Sequence, residues 1–264
     1  MVTGRLLRSE LTKVLTTRLW WGLLVGVVLY TGLQAAATAG FAGVDPGAGQ
    51  AASPGLADDE TIRSIYASAT YTGAYIFAMV LGVTGMTGEY RYQTITPTFL
   101  ATPRRARVVV AKAGAHLVVG VGYGVVAFLG AVLAGGIVIL IRGADLGLAT
   151  PGLWRAVLLA VLAVGLWTLL GLGIGTLIRN QVAAILVAIA VAFIIEPLAG
   201  LALSAADLDA VAKFLPSLAS AAMTSPTSGF VDLLPWWGGG LVMLAYAALF
   251  AGIGVALTVR RDIT

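Results

Sequence analysis

Six stretches of this chain, roughly 19–42, 68–87, 108–141, 156–178, 182–203 and 237–259, run for about 20 residues or more with at most one or two ionisable side chains each. A helix of that length spans the ~30 Å hydrocarbon core of a bilayer. A soluble fold could not hide six such runs, because it needs polar surface between them. Composition agrees: 59% of residues are apolar and 11% charged, against about 45–50% and about 25% in soluble domains. The same numbers exclude a disordered chain, and zero cysteines exclude a disulfide scaffold. The expected fold class is an all-α polytopic membrane protein of six transmembrane helices, a single domain over residues 1–264. The run at 108–141 counts once, as a steep span with an interfacial extension, since no polar residue near Gly135-Gly136 offers a turn.

Charge sets the expected orientation. With the N-terminus inside, the cytoplasmic segments hold 12 of the 16 Lys and Arg residues, leaving Arg63, Arg142, Arg155 and Lys213 outside. Eight acids, including Asp58, Asp59 and Glu60, fall outside. Both termini are therefore expected in the cytoplasm. The net charge of +4 reports this asymmetry and gives no argument for nucleic acid. Trp20-Trp21 and Trp236-Trp237 suit an interfacial belt. Glycine series such as Gly82, Gly85 and Gly88, or Gly171 and Gly175, suit close helix packing.

Three polar regions remain. The leader, Thr3 to Arg18, reads as an amphipathic interfacial helix with Leu7, Leu11, Val14 and Arg18 on one stripe and Glu10 and Lys13 among its charges. Its length and pattern argue for a retained anchor rather than a cleaved signal. The stretch 88–107 joins the second and third runs. It is long for a connection, and Thr96-Pro97 can open a short helix to Ala101. Glu89 is the lone acid among Arg91, Arg104, Arg105, Arg107 and Lys112, so it is expected to be paired. The region 204–236, broken by Pro216, Pro226 and Pro235, suits two short helices, Ser204 to Phe214 and Ser217 to Met223, dipping into the outer membrane surface. Within the spans the clear acid is Glu196. With Pro197 it marks an expected helix break, where the carboxylate accepts freed backbone donors or pairs across helices. The single histidine, His116, disfavours a metal site. No P-loop, H-E-x-x-H or G-x-S-x-G is present.

The 88–112 stretch, G-E-Y-R-Y-Q-T-I…L-A-T-P-R-R-A-R…A-K, resembles the cytoplasmic loop of ABC-2 type permeases. The leader S-E-L-T-K-V-L-T-T-R-L-W-W, residues 9–21, resembles that family's opening interfacial helix. The Glu196-Pro197 site followed by K-F-L-P (213–216) is similar to its fifth span and re-entrant region. The resemblance implies a transport subunit that is not itself an enzyme. It would dimerise with a second permease subunit and dock on separate ABC-type ATPase subunits that carry ATP and Mg, with no cofactor in this chain. A coupling helix between spans two and three would transmit the motion. Glu89, Arg91, Thr94, Pro103, Arg104, Arg105 and Lys112 would then contact the ATPase or the leader, and Glu89→Lys would abolish transport while the chain still inserts. The expected job is export of a hydrophobic or amphipathic compound (drug, antibiotic or lipid-like) across a bacterial plasma membrane. The rival readings are an ion-coupled secondary transporter, which needs more intramembrane titratable groups, an intramembrane hydrolase, and a non-transporting assembly or immunity protein.

Overall fold

The computed structural model of the chain describes residues 2–45, 53–94, 97, 105–224 and 233–260. Among them every regular element is helical. The leader forms α1 (Val2–Thr16). The chain bends at Thr17 and Arg18, and α2 (Leu19–Phe41) follows. Then come α3 (Asp59–Arg91), α4 (Arg105–Ile141), α5 (Leu153–Leu177) and α6 (Gln181–Ala205). Two short helices, α7 (Asp209–Ala212) and α8 (Pro216–Thr224), lead to α9 (Trp236–Arg260). Among the described residues five helices, α2 to α6, are long and apolar enough to cross a membrane, and α9 is apolar over Trp236–Phe250. This is the architecture of a multi-pass helical membrane protein.

Helix ends follow local chemistry. Asp58 caps α3 by accepting from the Thr61 backbone N–H at 2.9 Å, and Asn180 caps α6 through the Ala183 N–H at 3.0 Å. The C-terminus of α4 closes as a Schellman motif, with Gly143 left-handed (φ 70°) and the Ala144 N–H returning to the Ile139 carbonyl. The C-terminus of α3 closes the same way without glycine. Gln93 takes the left-handed position (φ 55°), the Thr94 N–H returns to the Glu89 carbonyl and the Gln93 N–H to the Tyr90 carbonyl. Arg142 donates to the Ala39 and Ala42 carbonyls at 2.8 and 2.6 Å, meeting acceptors that the end of α2 would otherwise leave open.

Three expectations change. The second span begins nine residues earlier than hydropathy places it, because α3 starts at Asp59 and passes through a π-helical turn at Ser64–Ser68. The expected helix Ser204 to Phe214 does not form. Instead α6 runs out to Ala205, where Asp207 (φ 56°) closes it in a second glycine-free Schellman turn. Most of all, Glu196-Pro197 does not break the fifth span. A π-helical turn at Val191–Ile195 widens the helix, and Pro197 falls in the first turn of the segment that follows. The proline thus lies where a missing N–H matters least, and the helical path continues.

Helix α5 is the central pillar and the most buried of the five. One core layer joins α3, α5, α6, α8 and α9 around Met79, Trp167 and Met243. A second joins α2, α3, α4 and α5 around Ile65, Tyr66 and Leu153. Glycines permit the closest approaches. A Cβ at Gly82 would overlap the Thr168 carbonyl, and one at Gly171 would overlap the Met79 carbonyl. Backbone cannot yield as a side chain can, so Gly82→Val is expected to remove most folded protein, a cost at or above the ~1–3 kcal/mol of ordinary overpacking. Gly22, whose Cβ would meet nothing within 4 Å, is the control. Size-exclusion profiles of detergent-solubilised Gly82→Val and Gly22→Val check this, and equal profiles would refute the backbone-contact reading.

Candidate functional site

Four charges meet where α1, α3 and α4 converge at the leader end of the bundle. Glu10 and Lys13 lie one turn apart on α1, Glu89 lies in the last turn of α3, and Lys112 lies two turns into α4. The Lys13 ammonium is 2.6 Å from Glu10 Oε1 and 2.9 Å from Glu89 Oε1. The Lys112 ammonium is 2.5 Å from Glu10 Oε2 and 2.9 Å from Glu89 Oε1. Lys112 also donates to the Gly85 carbonyl at 3.3 Å. Each ammonium therefore serves both carboxylates, and the set is neutral.

Burial makes the arrangement matter. Glu10, Glu89 and Lys112 are all under 7% exposed, where an unpaired charge would be very costly. Lys13 lies at the rim. Burial alone pulls its pKa down, but hydrogen bonds and attraction from Glu10 and Glu89 outweigh that and hold it above its ordinary 10.5. Its stabilising contribution is therefore complete below pH 10.5 and fades only as pH rises through the higher folded value. Physiological pH leaves Lys13 charged.

The knot brackets the segment singled out by sequence. Residues 95–104 are the connection between α3 and α4, and the knot holds α3 just before it and α4 just after it to the leader. The expected helix from Thr96 to Ala101, together with Pro103 and Arg104, lies outside the described residues, apart from Pro97. Arg105 opens α4. Arg91 does not join the knot. It reaches Gln181 Oε1 at 3.1 Å and lies over the Tyr92 ring at 5.6 Å, tying α3 to the start of α6. Thr94 is placed through its backbone in the Schellman turn. Arg18 is exposed in the bend between α1 and α2 and makes no side-chain cap.

Glu196 stands apart, on α6 toward the other end. It is 4% exposed, and its Oε2 accepts the Ser217 backbone N–H at 2.7 Å. It thus meets a donor freed at the start of α8, the role expected for it, although the donor belongs to α8 rather than to a break in α6. A neighbouring polar cluster escaped the sequence. Tyr71 of α3 and Trp167 of α5 both reach Ser220 of α8, with oxygen–oxygen and nitrogen–oxygen distances of 2.6 and 3.1 Å. Single Tyr, Trp and Ser residues in distant apolar runs carry no spacing signal. Among the described residues no group of three or more His, Cys, Asp or Glu is placed to hold a metal.

No family model matches the chain, and no curated protein matches its sequence.

Proposed function

We propose that this chain is the permease subunit of an ATP-driven exporter of the ABC-2 type, with α9 completing six spans and both termini in the cytoplasm of a bacterium. It would pair with a second permease subunit, homologous or identical, and move a hydrophobic or amphipathic compound outward while ATP and Mg act on partner ATPase subunits. The observation that carries this reading is the buried ion knot. A segment that transmits force from a cytoplasmic motor must be anchored rigidly at both roots, and Glu89 and Lys112 anchor the two roots of 95–104 to one interfacial helix. The short helices α7 and α8, the latter held by Glu196 at Ser217 and by Tyr71 and Trp167 at Ser220, support a re-entrant outer segment.

Orientation is tested first. The chain has no cysteine, so single cysteines at Ala101, Ala57 and Ala206 report without background. An impermeant maleimide on intact cells is expected to label Ala57→Cys and Ala206→Cys and to spare Ala101→Cys. Ala57 and Ala206 are exposed, whereas Ala219 is buried and would stay silent on either side. The reverse pattern would overturn the orientation. Function is tested by reconstituting the chain with an ATP-binding-cassette ATPase, sought first in the neighbouring reading frames. Permease-dependent stimulation of ATP hydrolysis and ATP-dependent movement of an amphipathic dye are expected. A stable complex that does neither, or no complex at all, would sink the exporter reading.

A further inference from the structure

At the end of the bundle opposite the ion knot, a cleft of about 520 Å³ opens between the starts of α3, α5 and α9 and the end of α8. That volume lies within the ~300–1,000 Å³ range of small-molecule pockets. Arg63 and Arg155 line its polar side, and Leu159, Met223, Leu233 and Leu234 line its apolar side. Among the described residues no acid lines it. Trp154, Trp236 and Trp237 are all exposed at this end. Tryptophans so placed mark headgroup depth in a bilayer, so the cleft faces the layer where lipid heads meet lipid tails.

The two arginines differ in what they have left to offer. Arg63 is committed: its Nε and Nη2 donate to Glu60 Oε2 at 3.2 and 2.8 Å, and its Nη1 donates to the Pro151 carbonyl at 2.9 Å. Arg155 is exposed, and among the described residues no carboxylate or carbonyl takes its N–H groups. Its guanidinium carbon instead lies over the Trp236 ring, 5.2 Å from the centroid. Stacking occupies the face of a guanidinium and leaves its edge of donors free. The ring also holds that edge in place. Glu60 offsets Arg63, so the cleft keeps one net positive charge, on Arg155. A phosphate or carboxylate matches the free edge with two parallel hydrogen bonds, whereas a cationic head would be repelled.

We propose that this cleft binds an amphiphile with a singly charged anionic head, a phosphodiester or a carboxylate, held by the edge of Arg155 with its hydrocarbon along Leu159, Met223 and Leu234. The inference rests on this end of the bundle lying at a membrane surface and does not require the chain to transport. An anionic phospholipid and a free fatty acid share this chemistry.

The test places the full chain in phosphatidylcholine nanodiscs with traces of one diazirine-tailed probe: phosphatidylglycerol, phosphatidylcholine or hexadecanoic acid. Mildly alkaline buffer keeps the acid ionised, and labelled peptides are mapped by mass spectrometry. The exposed face of α2 at Leu29 and Leu33 gives the reference for bulk lipid. Relative to that face, both anionic probes are expected to label 156–159 and 233–236 roughly three- to ten-fold above phosphatidylcholine, as one charge-assisted contact would. Unlabelled phosphatidylglycerol that competes better than unlabelled hexadecanoic acid would assign the site to a phospholipid, and the reverse would assign it to a free acid. Arg155→Gln removes the charge from an exposed position and should bring anionic labelling down to the phosphatidylcholine level. Should that variant fail to fold, the preference of the wild-type chain decides alone. Equal labelling by anionic and zwitterionic probes would overturn the proposal. So would an undiminished anionic preference in Arg155→Gln, which would leave Arg155 as a clamp between α5 and α9. No ATPase enters this readout, so its failure and the failure of the exporter reading are separable.

Discussion

Replacing Glu89 by lysine is expected to collapse the leader end of the bundle. The variant would place three ammonium groups around Glu10 alone, with Lys112 nearly fully buried. Breaking a buried ion pair by removing one partner costs about 3–5 kcal/mol, and reversing its sign costs more. Little monodisperse protein should survive purification, with a clear drop in unfolding temperature for what remains. Sequence alone pointed to a chain that inserts normally and fails only in transport. The burial of the carboxylate moves the expected loss to stability. A milder comparison isolates the coupling. Glu89→Gln leaves two lysines facing one acid, whereas Glu89→Gln with Lys112→Gln leaves the neutral Glu10–Lys13 pair. The double variant should therefore recover part of the single variant's loss, with a coupling of roughly 0.5–3 kcal/mol. Arg91→Ala, at an exposed contact to Gln181, should change stability by no more than about 0.5 kcal/mol. Wild-type unfolding behaviour in Glu89→Lys would show that the four charges do not hold these helices together.

The second large effect belongs to Glu196. Glu196→Leu removes the acceptor for the Ser217 N–H and strands a buried donor at the start of α8, a loss of about 1–3 kcal/mol and more where lipid replaces water. Glu196→Gln keeps a carbonyl oxygen at that position. Folded yield is expected to fall in the leucine variant and to hold in the glutamine variant, and the export proposed above would follow yield in both. A glutamine variant that folds normally and moves nothing would show that the carboxylate works by its proton rather than by its hydrogen bond.

Much of this bundle can be read from hydropathy, and the reasons are local. Residues 19–41 and 153–177 are apolar runs bounded by turn or polar residues, so their helices fall within a few residues of the expected bounds. The leader's stripe and the glycine contacts at Gly82 and Gly171 follow from spacing alone. The early start of α3 is legible too, since Asp58 followed by Asp59 and Glu60 is an N-terminal pattern, but window hydropathy hides it behind charge. What could not be read is non-local or conformational. Glu89 has five basic residues after it in the same stretch, and spacing neither selects Lys112 among them nor adds Lys13 from 76 residues upstream. Gln93 and Asp207 take left-handed positions usually signalled by glycine. Pro197 suggests a break, and a wide turn ending two residues earlier absorbs it.

The ion knot also sets a clock for biogenesis. Glu10 leaves the ribosome 102 residues before Lys112, a delay of roughly 5–20 s at ~5–20 residues per second. Through that interval the leader's acid has only Lys13 to answer it, and α1 must stay in the wet headgroup layer instead of sinking beside α2. Glu89 arrives next and still finds one ammonium for two carboxylates. Only when the start of α4 enters does the charge balance, and only then can α1 settle against the bundle without stranding a carboxylate away from water. α1 is thus made before α2 and α3 yet docks only after both, so a ribosome stalled before Lys112 would hold a chain in which α2 and α3 are made and the clasp is still open.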